Sequence, residues 1–364
     1  MRAIAVGAFR SYPALVELPK PEPAPGEVRV RVEYASLNPS DWQTADGFPE
    51  GRAPHDSRLG DGSPDGQAPH DSKPSDGSPH GQAPHDSRPA DGSPHGQVPP
   101  VFPLVVGVDF AGRVDMIGGG DNRFRVGDKV FGRTGPPAGA GTYCDYVCVP
   151  QDAAITHVPA GLDARTAAAL PSAGMAAAQI LEAVVLRGHE SLLVIGAAGG
   201  VGSCLTQLAR ARDIRVVAAV RGDERSRMGS LGAAATIDTT LGPAAESVRS
   251  VCPDGIDALA DLVSATPDAF AAHAAAVRPG GIALSTRGVA GAAALPEGVR
   301  GIDFRLDPNP VLLDVLAAGA AEGVFRVPID IELPLEKAPQ ALDRNRTGGA
   351  RGKTVIVLRH HGHH

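Results

Sequence analysis

Apolar and polar residues alternate along the first part of the chain in a way that predicts β-structure. In EVRVRVEYA (27–35), Val28, Val30 and Val32 share one face and two arginines share the other, which is typical of a half-buried strand. Other segments have a similar β-rich, glycine-interrupted character: 104–118, 128–132 and 141–150. Up to about residue 155 the pattern therefore predicts mostly strands and turns.

Beyond residue 155 the pattern changes to helices that alternate with short, wholly apolar strands. An alanine-rich helix is predicted at 164–184, the strand SLLVIG at 191–196, and apolar residues recur at helical spacing over 201–208. Further strands are predicted at 215–220, 257–263, 281–286 and, at the end of the chain, 353–358. Strands that alternate with helices indicate βαβ units and a parallel sheet with both faces buried.

Three near-identical 15-residue units, the first of them APHDSRLGDGSPDGQ, fill positions 53–97. Leu59 is the only large apolar residue of the block, so the block lacks the apolar surface that would offset the entropy of ordering it. Its prolines also oppose a helix or a central strand. The pattern predicts a disordered, solvent-exposed insertion. Its histidines leave a metal-binding or partner-binding segment open as an alternative.

Composition narrows the class of protein. The length of 364 residues suggests about two domains, and 43% apolar residues are enough to form their cores. The net charge is −7, with no basic stripe to neutralise phosphates, so nucleic acid is not expected as a partner. No run of about 20 apolar residues predicts a membrane span, and the four cysteines form no dense disulfide framework. We therefore expect a cytoplasmic protein.

The motif that carries chemistry is the glycine-rich GAAGGVGS at 196–203, between a predicted strand and a predicted helix. A tight turn needs residues without bulk there, and a pyrophosphate can then approach backbone N–H groups at the positive end of the helix. The motif predicts dinucleotide binding. Its candidate cofactor-binding residues are Gly196, Ala198, Gly199, Gly200, Val201 and Gly202.

The end of the next strand bears on the choice between NADPH and NADH. Arg221 lies 19 positions after Gly202, and Arg225 follows it. A guanidinium at this edge suits a ribose 2′-phosphate, whereas an acid would hold the free 2′-hydroxyl of NAD. The arginines favour NADPH, and the neighbouring Asp223 and Glu224 keep NADH open as the less favoured cofactor.

A series of motifs in a fixed order points to a known family. The first five are SLNPSDW (36–42), FPLVVGVDFAGRV (102–114), FRVGDKVFG (124–132), GTYCDYVCVP (141–150) and AALPSAGMAAA (168–178), and they are followed by GAAGGVGS, LGAAATID, VRPGGIAL and GKTVIVL. Together they resemble the medium-chain dehydrogenase/reductase superfamily, in its zinc-independent quinone oxidoreductase (zeta-crystallin-like) branch. The resemblance covers nearly all of the chain except the repeats.

The resemblance implies an α/β protein with two domains. A GroES-like, β-rich catalytic domain would span 1–155 and 290–364, with the repeats as an insertion in it. A Rossmann domain with a doubly wound parallel sheet would bind NADP at 156–289. By analogy with the family, we also expect a homodimer.

The resemblance also implies a reaction. Asn38 and Val108–Asp109 stand where the alcohol dehydrogenase branch has its zinc ligands, so we expect no zinc. The implied activity is hydride transfer from NADPH to a small electrophilic acceptor, a quinone or an α,β-unsaturated carbonyl compound. The alternatives are an enoyl-thioester reductase or a tailoring reductase of a biosynthetic pathway, and an NADPH-binding protein without turnover.

The remaining site residues follow from the same resemblance. Asn38 would lie beside the nicotinamide ribose, and Asp41 and Trp42 would lie near the substrate pocket; from the residues alone, Asn38 could simply form a turn and Asp41 a helix cap. Tyr143 could donate a proton or only pack within its strand. Phe48 occupies the region where related enoyl-thioester reductases carry a tyrosine, and it cannot donate a proton. The sequence assigns no catalytic residue.

Overall fold

The computed structural model describes residues 1–47, 102–134, 141–242 and 244–358. The strands in these ranges are β1 Arg2–Val6, β2 Ala14–Glu17, β3 Glu27–Ser36, β4 Leu104–Val105, β5 Asp109–Ile117, β6 Lys129–Arg133, β7 Tyr146–Pro150, β8 Ile155–His157, β9 Ser191–Ile195, β10 Arg215–Val220, β11 Ala235–Asp238, β12 Ile256–Asp261, β13 Val277–Ser285, β14 Arg300–Asp303, β15 Ile329–Pro334 and β16 Lys353–Val357. The helices are α1 Pro39–Asp46, α2 Ala164–Ala169, α3 Pro171–Ala183, α4 Gly200–Ala211, α5 Arg225–Ser230, α6 Ala244–Val251, α7 Pro267–Ala274, α8 Pro310–Ala321 and α9 Ala338–Arg346.

A mixed seven-stranded sheet and a small three-stranded sheet form the β-rich part of the protein. The larger sheet has the order β15-β16-β3-β5-β6-β8, and β7 also pairs with β3. The smaller sheet has the order β2-β1-β4. The alternating valines that predicted β3, Val28, Val30 and Val32, are all fully buried. This core positions α1, which follows β3 directly.

The second large sheet is parallel and has six strands in the order β11-β10-β9-β12-β13-β14. Numbered along the chain, this is the order 3-2-1-4-5-6 of a doubly wound dinucleotide-binding sheet. Leu192 and Val194 of β9 contribute to the apolar core on one face, while Leu193 and Ile195 contribute to the core on the other. Burial of both faces explains why β9 is apolar at nearly every position.

The parallel sheet extends further along the chain than predicted. β14 pairs with β13 from Ile282–Arg300 to Ser285–Asp303, so this sheet continues past the predicted boundary at 289. Strand β14 at 300–303 thus pairs within the parallel sheet, although the predicted limits assign these residues to the β-rich domain. The other domain limits stay predictions. The repeats at 53–97 lie outside the described residues.

Two predicted elements differ in detail from the observed ones. The strand predicted at 141–150 begins only at Tyr146, because Tyr143 and Cys144 instead bond individually to β1 and its neighbours. The helix predicted at 164–184 is two helices, with Pro171 at the first position of α3. Proline suits that position because the first helical N–H has no partner within the helix. In the described part of the chain, no helix has the length and apolar character needed to cross a bilayer.

Candidate functional site

The glycine-rich loop lies where the strand order of the parallel sheet reverses. β9 ends at Ile195, Gly196 adopts φ +83°, and α4 begins at Gly200. A Cβ on Gly202 would lie 2.6 Å from Cα of Ala197 and 2.6 Å from the carbonyl oxygen of Gly196. Gly202 therefore allows α4 to pack closely on the end of β9, which is the geometry that a dinucleotide site requires.

The outer side of the same loop is open. A Cβ on Gly199 would meet only the Gly196 carbonyl oxygen, at 3.4 Å. Gly199 is the N-cap of α4, and the first N–H groups of a helix have no partners within that helix. Small residues, free N–H groups and the positive helix end together fit the pyrophosphate of a dinucleotide.

A buried carboxylate lies on the neighbouring strand, directly beside Ile195. Asp261 ends β12 in register with Ile195 and is 1% exposed. Its Oδ1 accepts hydrogen bonds from the N–H groups of Val263 and Ser264, whereas its Oδ2 has no partner among the residues that the structure describes. This polar atom at the strand switch point was not predicted from the sequence.

The loop after β10 borders a cavity of about 620 Å³. Its lining consists of Asp223, Glu224, Arg225, Ser226, Arg227 and Ser230. Arg225, a predicted phosphate ligand, is 77% exposed at its side chain and pairs with Asp223 at 3.2 Å. Arg221 is also exposed, and its guanidinium lies near Gly348. Of the two predicted arginines, Arg225 therefore belongs to the lining of this cavity and Arg221 does not.

Two further arginines at this edge were missed. Arg351, just before β16, donates to Glu224 at 2.7 Å, and Arg227 lies 3.6 Å from the same carboxylate. Arg227 also donates to the carbonyl oxygen of Ala198, so it joins this loop to the glycine-rich loop. No local sequence pattern indicates Arg351, because its proximity to Glu224 depends on the packing of the last strand.

Asn38 lies at the N-terminus of α1, and both ends of its amide are held by buried charged side chains. Its Nδ2 donates to Asp109 at 2.8 Å, and its Oδ1 accepts from Nζ of Lys353 at 2.6 Å. Lys353 also donates to the carbonyl oxygen of Leu37 at 2.8 Å. Burial lowers the pKa of Lys353, and Asp109 and Asp41 oppose that shift.

Asp109 connects this network to the parallel-sheet part of the molecule. Its Oδ1 accepts a hydrogen bond from Oγ of Ser172 in α3 at 2.6 Å. Its Oδ2 accepts from Ser36 at 3.3 Å and lies 3.7 Å from Nζ of Lys353. The carboxylate is completely buried. Residues from β3, β5, α3 and β16 therefore meet around one charge.

Asp41 and Tyr143 form a second buried pair beside this network. Tyr143 donates its hydroxyl to Oδ2 of Asp41 at 2.8 Å, and the backbone N–H of Asn38 donates to the same oxygen at 2.8 Å. Both side chains are fully buried, so neither reaches solvent in this structure. Asp41 therefore does cap α1, and Tyr143 does pack within the β-rich core.

Trp42 of α1 is partly buried against the core of the β-rich part and lies near two guanidinium groups. Arg287, which follows β13, lies 5.3 Å from its ring centre, and Arg346 of α9 lies 5.2 Å from it. Its Nε1 is buried and has no hydrogen-bond partner within the described ranges. Trp42 thus contacts side chains from both parts of the molecule. Phe48 lies outside the described residues.

The described residues contain no group of three or more His, Cys, Asp or Glu side chains placed to hold a metal ion. Sequence reasoning also missed Lys353, although it lies in the motif GKTVIVL. The motif predicts a closing strand, and nothing in a strand pattern shows that the side chain of Lys353 reaches Asn38, 315 positions earlier.

Comparisons with known proteins agree with this arrangement. Residues 81–160 match the family model described as alcohol dehydrogenase GroES-like domain, and residues 231–356 match the one described as zinc-binding dehydrogenase. The human mitochondrial NAD(P)H oxidoreductase RTN4IP1 is 28% identical over 284 residues, which cover 70% of each chain.

Two quinone oxidoreductases are also similar. That of Pseudomonas aeruginosa is 35% identical over 141 residues, which cover 38% of this chain and 42% of its own. The solved structure of the Coxiella burnetii quinone oxidoreductase aligns over 99% of both chains with a TM-score of 0.77 and 23% identity. These likenesses agree with a GroES-like domain combined with a Rossmann domain.

Proposed function

The chain belongs to the medium-chain dehydrogenase/reductase superfamily, in its quinone oxidoreductase branch, and from this we propose that it transfers hydride from NADPH to a quinone or an α,β-unsaturated carbonyl compound without zinc. The observation that carries the proposal is the open glycine-rich loop at the strand switch point, which lies next to the Asn38–Lys353–Asp109 network in space. Gly200 joins the two, because a Cβ there would lie 2.6 Å from Cδ of Lys353.

The preference for NADPH is supported by the ion pairs and the burial of Glu224. In NAD-specific sites an acid at this edge binds the ribose hydroxyls. Here Glu224 is already paired with Arg227 and Arg351, and its side chain is only 17% exposed. The exposed arginines nearby instead offer positive charge to a 2′-phosphate. NADPH should therefore bind more tightly than NADH.

The proposal of chemistry without zinc is supported by the charge already present at the site. The ammonium of Lys353 contacts Asn38 and lies 3.7 Å from Asp109, which are the positions that the resemblance equates with zinc ligands. A divalent cation at this place would meet a buried positive charge and an amide that is already bonded at both ends. Lewis-acid activation of an alcohol is therefore disfavoured there.

In the proposed reaction the cofactor supplies the hydride, and the protein supplies position and electrostatics. The N-terminus of α4 would bind the pyrophosphate, and the arginines after β10 would bind the adenosine phosphate. Asn38 would orient the ribose next to the reacting ring. A cytoplasmic location stays a prediction, and so does a homodimer, which is expected by analogy with the family.

An acceptor screen tests this function. The purified protein is mixed with NADPH or NADH and with a quinone, an enone or an enoyl thioester, and absorbance of the reduced cofactor is followed, with and without a zinc chelator. We expect oxidation of NADPH by the quinone or the enone, slower oxidation of NADH, and no effect of the chelator.

Each other outcome has a defined meaning. Turnover only with the enoyl thioester would identify a thioester reductase and contradict the proposed acceptor. Tight NADPH binding with no turnover on any acceptor would identify a binding protein. Loss of activity on chelation, restored by zinc, would contradict the zinc-free mechanism.

A further inference from the structure

We propose that Lys353 is a positioning residue of the NADPH site, which holds the Asn38 amide and the first turn of α4 in one fixed arrangement. This inference rests on the proposed function, because it concerns the same cofactor. Lys353 is the first residue of β16, next to β3 in the β-rich sheet, yet its side chain contacts both the segment that leads into α1 and the glycine-rich loop.

The ammonium fixes which way the Asn38 amide faces. Its acceptors are the carbonyl oxygen of Leu37 at 2.8 Å and Oδ1 of Asn38 at 2.6 Å, and Asp109 lies 3.7 Å away. On the other side, Nδ2 of Asn38 donates to Asp109 at 2.8 Å. A flipped amide would direct its NH₂ at an ammonium and its oxygen at a carboxylate. The network therefore selects a single orientation of Asn38.

The alkyl part of Lys353 sets the spacing to the glycine-rich loop. Its Cδ and Cγ would lie 2.6 Å and 3.1 Å from a Cβ on Gly200, so the chain passes directly over the start of α4. Lys353 is 3% exposed. A buried, charged side chain with fixed partners has little freedom to move, so the loop and Asn38 keep their separation through this one residue.

A buried ammonium also stabilises the fold, and the experiment must separate that effect from positioning. Removal of Lys353 alone would leave Asp109 as an unpaired buried charge. The comparison is therefore made in an Asp109→Asn background, where the amide keeps the shape of the carboxylate without its charge. In this background the negative charge of Asp41 still favours the ammonium of Lys353. Lys353→Met keeps the length of the alkyl chain over Gly200 and removes only the ammonium.

A double-mutant cycle on NADPH affinity provides the test. D109N, D109N/K353M, D109N/N38A and the triple variant are titrated with NADPH by calorimetry, and their melting temperatures are measured. We expect Lys353→Met to weaken NADPH binding about tenfold when Asn38 is present and less than about twofold when Asn38 is alanine, because Lys353 acts through Asn38.

The control is another buried cation of the β-rich part, outside the network that Lys353 forms with Asn38 and Asp109. Arg29 is 7% exposed and pairs with Asp115. R29M/D115N should lower the melting temperature and leave the NADPH dissociation constant unchanged. If D109N/K353M lowers the melting temperature in the same way and binds NADPH like D109N, the role of Lys353 is only structural.

The remaining outcomes are also decisive. Equal losses from Lys353→Met with and without Asn38 would show that Lys353 does not act through Asn38. Failure of every Lys353 variant to fold would likewise make its role structural and overturn the proposal. Absence of NADPH binding by the unaltered protein would instead overturn the proposed function.

Discussion

Asp41 shows how one buried side chain can make the stability of this protein depend on pH. Its carboxylate accepts hydrogen bonds from Tyr143 and from the backbone of Asn38, and both favour the charged form. Burial outweighs them and raises the pKa of Asp41 to about 7. Between the unfolded-state value of 3.8 and about 7, the unfolded chain ionises before the folded protein does. Rising pH therefore favours unfolding across this interval.

Asp41→Asn should remove this pH dependence. The variant should be more stable than the unaltered protein at pH 8, because the folded protein no longer holds a buried charge there. Since each unit of pKa corresponds to about 1.4 kcal/mol, the gain should reach a few kcal/mol and shrink as the pH falls toward 4. Melting temperatures measured from pH 4 to 8 check this. A difference that stayed constant with pH would contradict the assignment.

Asp115 provides a control with the opposite sign. Burial alone would raise the pKa of the Asp115 carboxyl, but the hydrogen bonds and positive charges of Arg29 and Lys20 together outweigh burial and lower this pKa. D115N should therefore reduce stability at neutral pH, and the reduction should diminish as the pH falls below the usual range of an aspartate. The two variants together separate burial from ion pairing as the source of each shift.

At this scale, the sequence identified residues but not their partners. Asn38, Asp41 and Tyr143 were candidates because the family motifs contain them. That Tyr143 bonds to Asp41, 102 positions earlier, depends on the pairing of strands and could not be seen in a local pattern. Lys353 and Arg351 were missed for the same reason.

At the scale of elements, two glycines between β9 and the first turn of α4 have different roles. Gly202 is surrounded by backbone atoms of Ala197 and Gly196, whereas the Cβ position of Gly199 is nearly free. Gly199 also has φ −75°, which any residue adopts. One glycine is therefore needed for packing, and the other leaves room that a ligand would fill.

Exchange of each glycine for alanine should separate these uses. Gly202→Ala should lower the melting temperature by several degrees, because backbone atoms must move apart. Gly199→Ala should leave the melting temperature within about two degrees and weaken NADPH binding about tenfold or more, since the methyl group enters the space for the pyrophosphate. Thermal denaturation and calorimetric titration of both variants check this. Unchanged NADPH affinity of G199A would place the cofactor elsewhere.

Sequence periodicity predicted most elements because their burial is periodic. β9 and β10 are buried along nearly their whole length, and they were predicted within a residue or two. β14 was missed because it lies at the edge of its sheet and three of its four residues are exposed. An exposed edge strand has no apolar pattern to reveal it.

At the scale of the whole molecule, residues 47 and 102, which border the repeat-containing segment, lie close together. The ring of Phe9 packs edge-on against Phe102 with ring centres 5.2 Å apart, and it lies 3.0 Å from where a Cβ of Gly47 would be. Residues 47 and 102 are thus both next to one aromatic ring. A short connection is long enough to join them.

Deletion of residues 53–97 should therefore leave a folded protein. The residues left on either side of the deletion suffice to close the gap beside Phe9, and no described contact is removed. We expect an unchanged melting temperature and an unchanged NADPH dissociation constant, with acceptor KM as the quantity that reports any contact between the repeats and the substrate. A loss of cofactor binding would show that the repeats contribute to the fold or to the site.

The position of Phe9 also has a consequence for how the number of repeat units can change during evolution. As a general rule, closing a flexible chain costs only about 0.6 kcal/mol more in entropy for each doubling of its length. Gain or loss of a whole 15-residue unit by slippage during replication keeps the reading frame and leaves the anchoring ring in place. Natural variants of this protein should therefore differ in the number of copies far more readily than in the sequence that surrounds Phe9.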